Sequence, residues 1–157
     1  MAETFGTVVI VAPYSIARRV DKKTMESKAN LASIIELPVD AVKNFNLSFD
    51  DIKQHHNAVC LDYNNSEWKT VIRLITKEAS VCAWLVEGDE YGGYTFLHKR
   101  PAQTLNSFHI DCEGDDWDEP DYQAACKSKF KAFVESIPSD IQSAFPSIVS
   151  DVLGLNG

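Results

Sequence analysis

No stretch of this chain approaches the roughly 20 consecutive apolar residues that cross a bilayer as a helix. The opening residues carry no basic segment ahead of an apolar one, so neither a membrane anchor nor a secretory leader is expected, and the expected location is the cytoplasm. Glycine-rich phosphate loops are missing too, since neither GxGxxG nor GxxxxGK occurs and the apolar run at Val8 lacks the turn that cradles a nucleotide. HExxH and GxSxG are equally absent, which removes the common zinc-protease and serine-hydrolase signatures. There is no internal repeat and no linker rich in proline, glycine or serine, so residues 1–157 are expected to form one domain. A chain of this length buries roughly 70% of its unfolded surface and needs neither disulfide nor metal to hold a core.

Cysteine is sparse and unpaired in spacing. Cys60, Cys82, Cys112 and Cys126 form no CxxC motif, and each falls in an apolar run or on an apolar helix stripe. They are expected to be reduced thiols acting as small hydrophobes. The four histidines, His55, His56, His98 and His109, make no complete ligand set with the cysteines, so no metal and no cofactor is expected.

What is present is a run of recognisable elements. Thr7-Val8-Val9-Ile10-Val11 is β-branched and closed by Pro13, a buried strand. Residues 24–36 suit a helix with Pro38 just beyond it. Ser48 and Asp51 resemble a capping box that would start a short helix through His55. Val59 to Tyr63 is strand-like, and Asn64-Asn65 a turn. Between Ser66 and Ala79 helical spacing of Trp68, Val71, Ile72, Ile75 and Ala79 competes with strand alternation; Ser66 as N-cap favours helix.

Val81 to Val86 and Tyr94 to His98 flank a loop from Glu87 to Gly93, a hairpin, and Leu105 to Cys112 gives another strand. Asp118 and Pro120 then open a helix whose stripe is Tyr122, Cys126, Phe130, Phe133, Val134 and Ile137. A second helical segment follows from Ser139. The order predicts an α+β fold: a mainly antiparallel sheet from the central strands, helices packed on one face, and a C-terminal helical pair.

Charge is the local anomaly. The net charge is −8, and Asp111, Glu113, Asp115, Asp116, Asp118, Glu119 and Asp121 fall within eleven residues without a base among them. Outside that segment acids and bases nearly cancel. Carboxylates at a helix N-terminus are favourable against its dipole, which accounts for part of the cluster as a solvated cap. The remainder, with Trp117 in its middle, has the character of an aromatic anchor ringed by charge. Glu87, Asp89, Glu90 and Tyr91 in the hairpin loop form a smaller patch of the same kind.

These residues are the expected partner-binding site of a small acidic module, of inhibitor, immunity or anti-defence type, that occludes or recruits a basic protein. A nucleic-acid-handling protein fits, because carboxylates can stand in for phosphates in its groove. With this net charge direct nucleic-acid binding is not expected. Two rival readings are an enzyme whose cysteine and histidine meet only in space, and an assembly subunit with an apolar interface. No catalytic residue is assigned.

Overall fold

The computed structural model describes residues 3–11, 27–55, 58–90, 92–111 and 118–137. In chain order these form β1 (Thr4–Val11), α1 (Lys28–Ile34), α2 (Val39–Val42), β2 (Asp51–His55), β3 (Ala58–Asn64), α3 (Trp68–Ile72), β4 (Cys82–Asp89), β5 (Gly93–Lys99), β6 (Asn106–Asp111) and α4 (Pro120–Ser136). The six strands make one sheet in the order β2-β3-β1-β4-β5-β6, with every neighbour antiparallel.

The α+β class and the antiparallel sheet agree with the sequence, but the placement of helices on one face does not. Val8, Ile10, Leu61, Leu85 and Leu97 face a core completed by α1, α2 and α3, through residues such as Leu31, Ile35, Val42, Trp68 and Ile72. Val9, Trp84, Val86, Tyr94, Phe96 and Ile110 face the other way, against Cys126, Phe130 and Phe133 of α4. The sheet is therefore covered on both faces. The physical reason is visible in the unbroken apolar runs of β1 and β4: a strand exposed on one face alternates, whereas one buried on both does not. The second member of the expected C-terminal helical pair lies outside the described residues.

Two local expectations change. Residues 51–55 are a strand, not a capped helix. The Ser48 N–H donates to Asn46 Oδ1 (3.1 Å) and its carbonyl accepts from Trp68 Nε1 (3.1 Å), so both backbone groups are engaged in fixing a loop. Pairing of Asp51–His55 with β3 then supplies the backbone partners a short helix would leave open. Between Ser66 and Ala79 the helical reading holds for Trp68–Ile72 only, although Ile75 and Ala79 are buried as that spacing requires. Glu67, not Ser66, occupies the N-cap, and Ser66 Oγ is buried without a partner among the described residues. The turn at Asn65 is as expected, with a left-handed backbone (φ 51°) and a side chain that accepts from the Thr4 N–H at 2.9 Å.

Candidate functional site

Strand register decides where the acids sit. Gly93 lies opposite Asp111 and Thr4 opposite Asp89, so the β4–β5 turn, the end of β6 and the start of β1 share one end of the sheet. The Asp89 carboxylate accepts from the Gly93 N–H at 3.1 Å, and the Glu90 N–H donates to the Glu3 carbonyl at 3.2 Å. The Asp111 N–H donates to Tyr122 Oη at 3.1 Å, which ties the first turn of α4 to the tip of β6. Glu119 is the N-cap of α4, Pro120 follows it, and Asp121 stands in the first turn. Glu90, Asp118, Glu119 and Asp121 are exposed, and Asp89 and Asp111 half-buried. The two acidic segments that the sequence keeps apart thus meet at one sheet end. Glu113, Asp115, Asp116, Trp117 and Tyr91 lie outside the described residues.

Glu87 is placed differently from the rest. β4 extends through Asp89, so the hairpin turn is shorter than the sequence suggests and Glu87 is a strand residue, 6% exposed. It faces the α1–α3 side, where it accepts from the Tyr63 hydroxyl (3.1 Å) and pairs with Lys69 of α3 (3.0 Å). Burial pushes the Tyr63 phenol far above its ordinary value, and the neighbouring Glu87 charge adds to this, so the phenol stays a donor. Glu87 is committed to the interior and presents no charge to a partner.

The thiols sit in the opposite of an activating environment. Burial pushes Cys60 up to about 11, with Asp62 adding to the effect, and burial likewise pushes Cys82 up to about 11 against the pull of Arg100 and Lys99. A nucleophilic cysteine needs the thiolate, which both sites disfavour at neutral pH. Cys126 is buried on the sheet-facing side of α4, and Cys112 lies outside the described residues. Among the described residues no group of three or more His, Cys, Asp and Glu is arranged to hold a metal ion. No helix among them is long and apolar enough to cross a membrane.

At the far end of the sheet the structure assembles groups that sequence reasoning treated as unrelated. His98 stacks on Trp84 with ring centroids 5.0 Å apart and meets the edge of Phe133 at 6.5 Å. Its Nε2 is buried without a hydrogen-bond partner among the described residues. An unmet polar atom of this kind costs about 1–3 kcal/mol. Burial, reinforced by Arg100, lowers the imidazole to about 4, so it is neutral at pH 7. The next residue of β5, Lys99, points to the other face and is fully buried, its ammonium donating to the carbonyls of Ala79 (3.0 Å) and Arg100. A cavity of about 360 Å³ opens between β5, β6 and the C-terminal half of α4, with His98, Arg100 and Lys129 in its lining. Only the run His98-Lys99-Arg100 hinted at it in sequence; Lys129 is brought there by α4.

The class that fold and charge define is a six-stranded antiparallel sheet covered by helices on both faces, with carboxylates gathered at one end and a cationic cavity at the other. Comparison with protein-family models, curated proteins and solved structures finds no match.

Proposed function

We propose that the chain is a binding module whose acidic sheet end docks a basic protein partner, occluding or recruiting it. The observation that supports this is the register pairing of Gly93 with Asp111, which merges two acidic segments into one surface. The contact set is Asp89, Glu90, Asp111, Asp118, Glu119 and Asp121, joined from the sequence by Tyr91, Glu113, Asp115, Asp116 and Trp117; Glu87 is withdrawn from it. Clustered like charges raise the local concentration of a cationic partner and speed its association, more than they tighten the final complex. A protein whose basic groove handles nucleic acid suits such a surface.

The test is capture from source-cell lysate at low and high salt. It compares the native chain with a variant carrying Asn or Gln at the six described acids, followed by association kinetics on the purified partner. The expected outcome is a basic protein retained by the native chain alone, with an association rate that falls by about tenfold or more as salt rises. Equal retention by the neutralised variant, or an association rate indifferent to salt, overturns the reading.

A further inference from the structure

We propose that the cavity between β5, β6 and α4 is a binding site for a small ligand made of a planar aromatic ring and one anionic group. It lies at the opposite end of the sheet from the acidic surface and stands independently of the docking reading.

Three features of the cavity converge on that chemistry. Its inner wall is aromatic: Phe96 and Phe108 stack at 4.5 Å, and Phe133 meets both edge-on, at 5.3 and 6.2 Å. A flat apolar ring is the shape such a wall accepts, by stacking or edge contact. Its rim is cationic: Arg100 and Lys129 are exposed at the mouth. Among the described residues no aspartate or glutamate lines it, in a chain that carries 23 acids against 15 bases. The guanidinium fork of Arg100 matches a carboxylate or phosphate, and Lys129 adds a second positive point. The third feature is His98, which lines the cavity beside Arg100 and meets Phe133 edge-on, so its ring continues the aromatic wall toward the cationic rim.

The size agrees with a ligand of one ring and a short substituent, since about 360 Å³ stands near the small end of the range for ligand pockets. An adjoining cavity of about 360 Å³ is also lined by His98, Arg100 and Asn106, together with Gln103 and Thr104. The polar lining of this second space extends the first toward the β5–β6 loop, away from the aromatic wall. The ligand therefore enters ring first, against the half-buried Phe108 beside Phe133, and leaves its anionic group between Arg100 and Lys129.

The test is a heteronuclear NMR titration of the full chain with four probes: phenylacetate, phenyl phosphate, inorganic phosphate and benzyl alcohol. Both aromatic anions are expected to shift the signals of His98, Arg100, Ser107 and Lys129, and their relative strengths distinguish a carboxylate ligand from a phosphate one. Inorganic phosphate and the neutral alcohol are each expected to bind at least about tenfold more weakly, since each lacks one half of the recognition. Arg100→Met and Lys129→Met remove exposed charges without touching the core, and each is expected to weaken the aromatic anions by about tenfold. Ala132→Trp, on the exposed side of α4, fills the space and is expected to abolish binding, with an unchanged circular dichroism spectrum as the check on folding. The absence of shifts with either aromatic anion overturns the proposal. So does binding of benzyl alcohol or inorganic phosphate as strong as theirs, or binding that survives both Met substitutions.

Discussion

Glu87 and His98 are both ionisable side chains held inside the protein, and the fold treats them in opposite ways. Glu87 keeps company with a donor and a cation, Tyr63 and Lys69. Removing the cation by Lys69→Met leaves the carboxylate with the Tyr63 hydroxyl alone, and a loss of about 1–3 kcal/mol is expected in urea unfolding. Adding Glu87→Gln to that variant should recover part of the loss, because the amide still accepts from Tyr63 and carries no charge. Among the described residues His98 Nε2 has no such company. Its folded value, about 4, lies below the ordinary 6.5, so between these values the unfolded chain binds a proton that the folded one refuses. The contribution of His98 is therefore intact above about pH 6.5 and declines as pH falls toward 4. His98→Phe is expected to flatten that part of the stability profile, read as urea midpoints across the range; a slope equal to the native one would contradict the assignment.

At the scale of elements, α4 is attached to the sheet by a few large side chains. Phe133 contacts Phe96, Phe108 and His98, and Trp84 Nε1 donates to Ser136 Oγ at 2.9 Å. Phe133→Ala is expected to cost about 3–5 kcal/mol, the usual range for removing a buried phenyl ring, whereas Val134→Ala beside it, only half-buried, costs less. Chemical denaturation of the two variants separates them. On the other face β1 approaches its neighbours closely at Gly6, where an added Cβ would meet Tyr63 Oη at 2.5 Å and the Val86 carbonyl at 2.7 Å. Gly6→Ala therefore displaces either a ring or a strand, and a loss of about 1–3 kcal/mol is expected by the same measurement. The edge strands behave differently from these central ones. On β6, Ile110 is buried and Phe108 half-buried toward α4, while Ser107 and His109 are exposed on the other side. Alternation is legible in this strand because only one of its faces is covered.

For the whole molecule, the sheet separates charge. Acids occupy the end where β4, β6 and α4 meet, and Asp51 stands directly opposite Asp62 across β2 and β3, partly relieved by Lys53 (3.8 Å) and the Thr7 hydroxyl (2.8 Å). Such crowding opposes the compact state at low ionic strength. Raising salt at neutral pH is expected to lift the thermal midpoint by a few degrees, and the gain should shrink when the six described acids are neutralised. A midpoint indifferent to salt would show that local partners already offset the repulsion.

Much of this architecture was legible in residue patterns. The runs at Val8 and Val81, the hairpin that the second of them forms with Tyr94 to His98, and the stripe from Tyr122 to Ile137 all reappear as elements, because burial on a strand or helix imposes a period that one chain can display. Residues 51–55 were not legible, since a five-residue edge strand draws its backbone bonds from β3 and has no signal of its own. The same holds for the sites. Sequence alone determined that carboxylates crowd the segment 111–121 and that the thiols lie in apolar runs. Only the tertiary structure decided that Asp89 and Asp111 share a sheet end, that Glu87 turns inward, and that Lys129 meets His98 and Arg100 over an aromatic wall. Composition and periodicity are local properties of a chain, whereas strand register and helix docking are set by contacts between distant residues, and it is those contacts that turn separate side chains into a site.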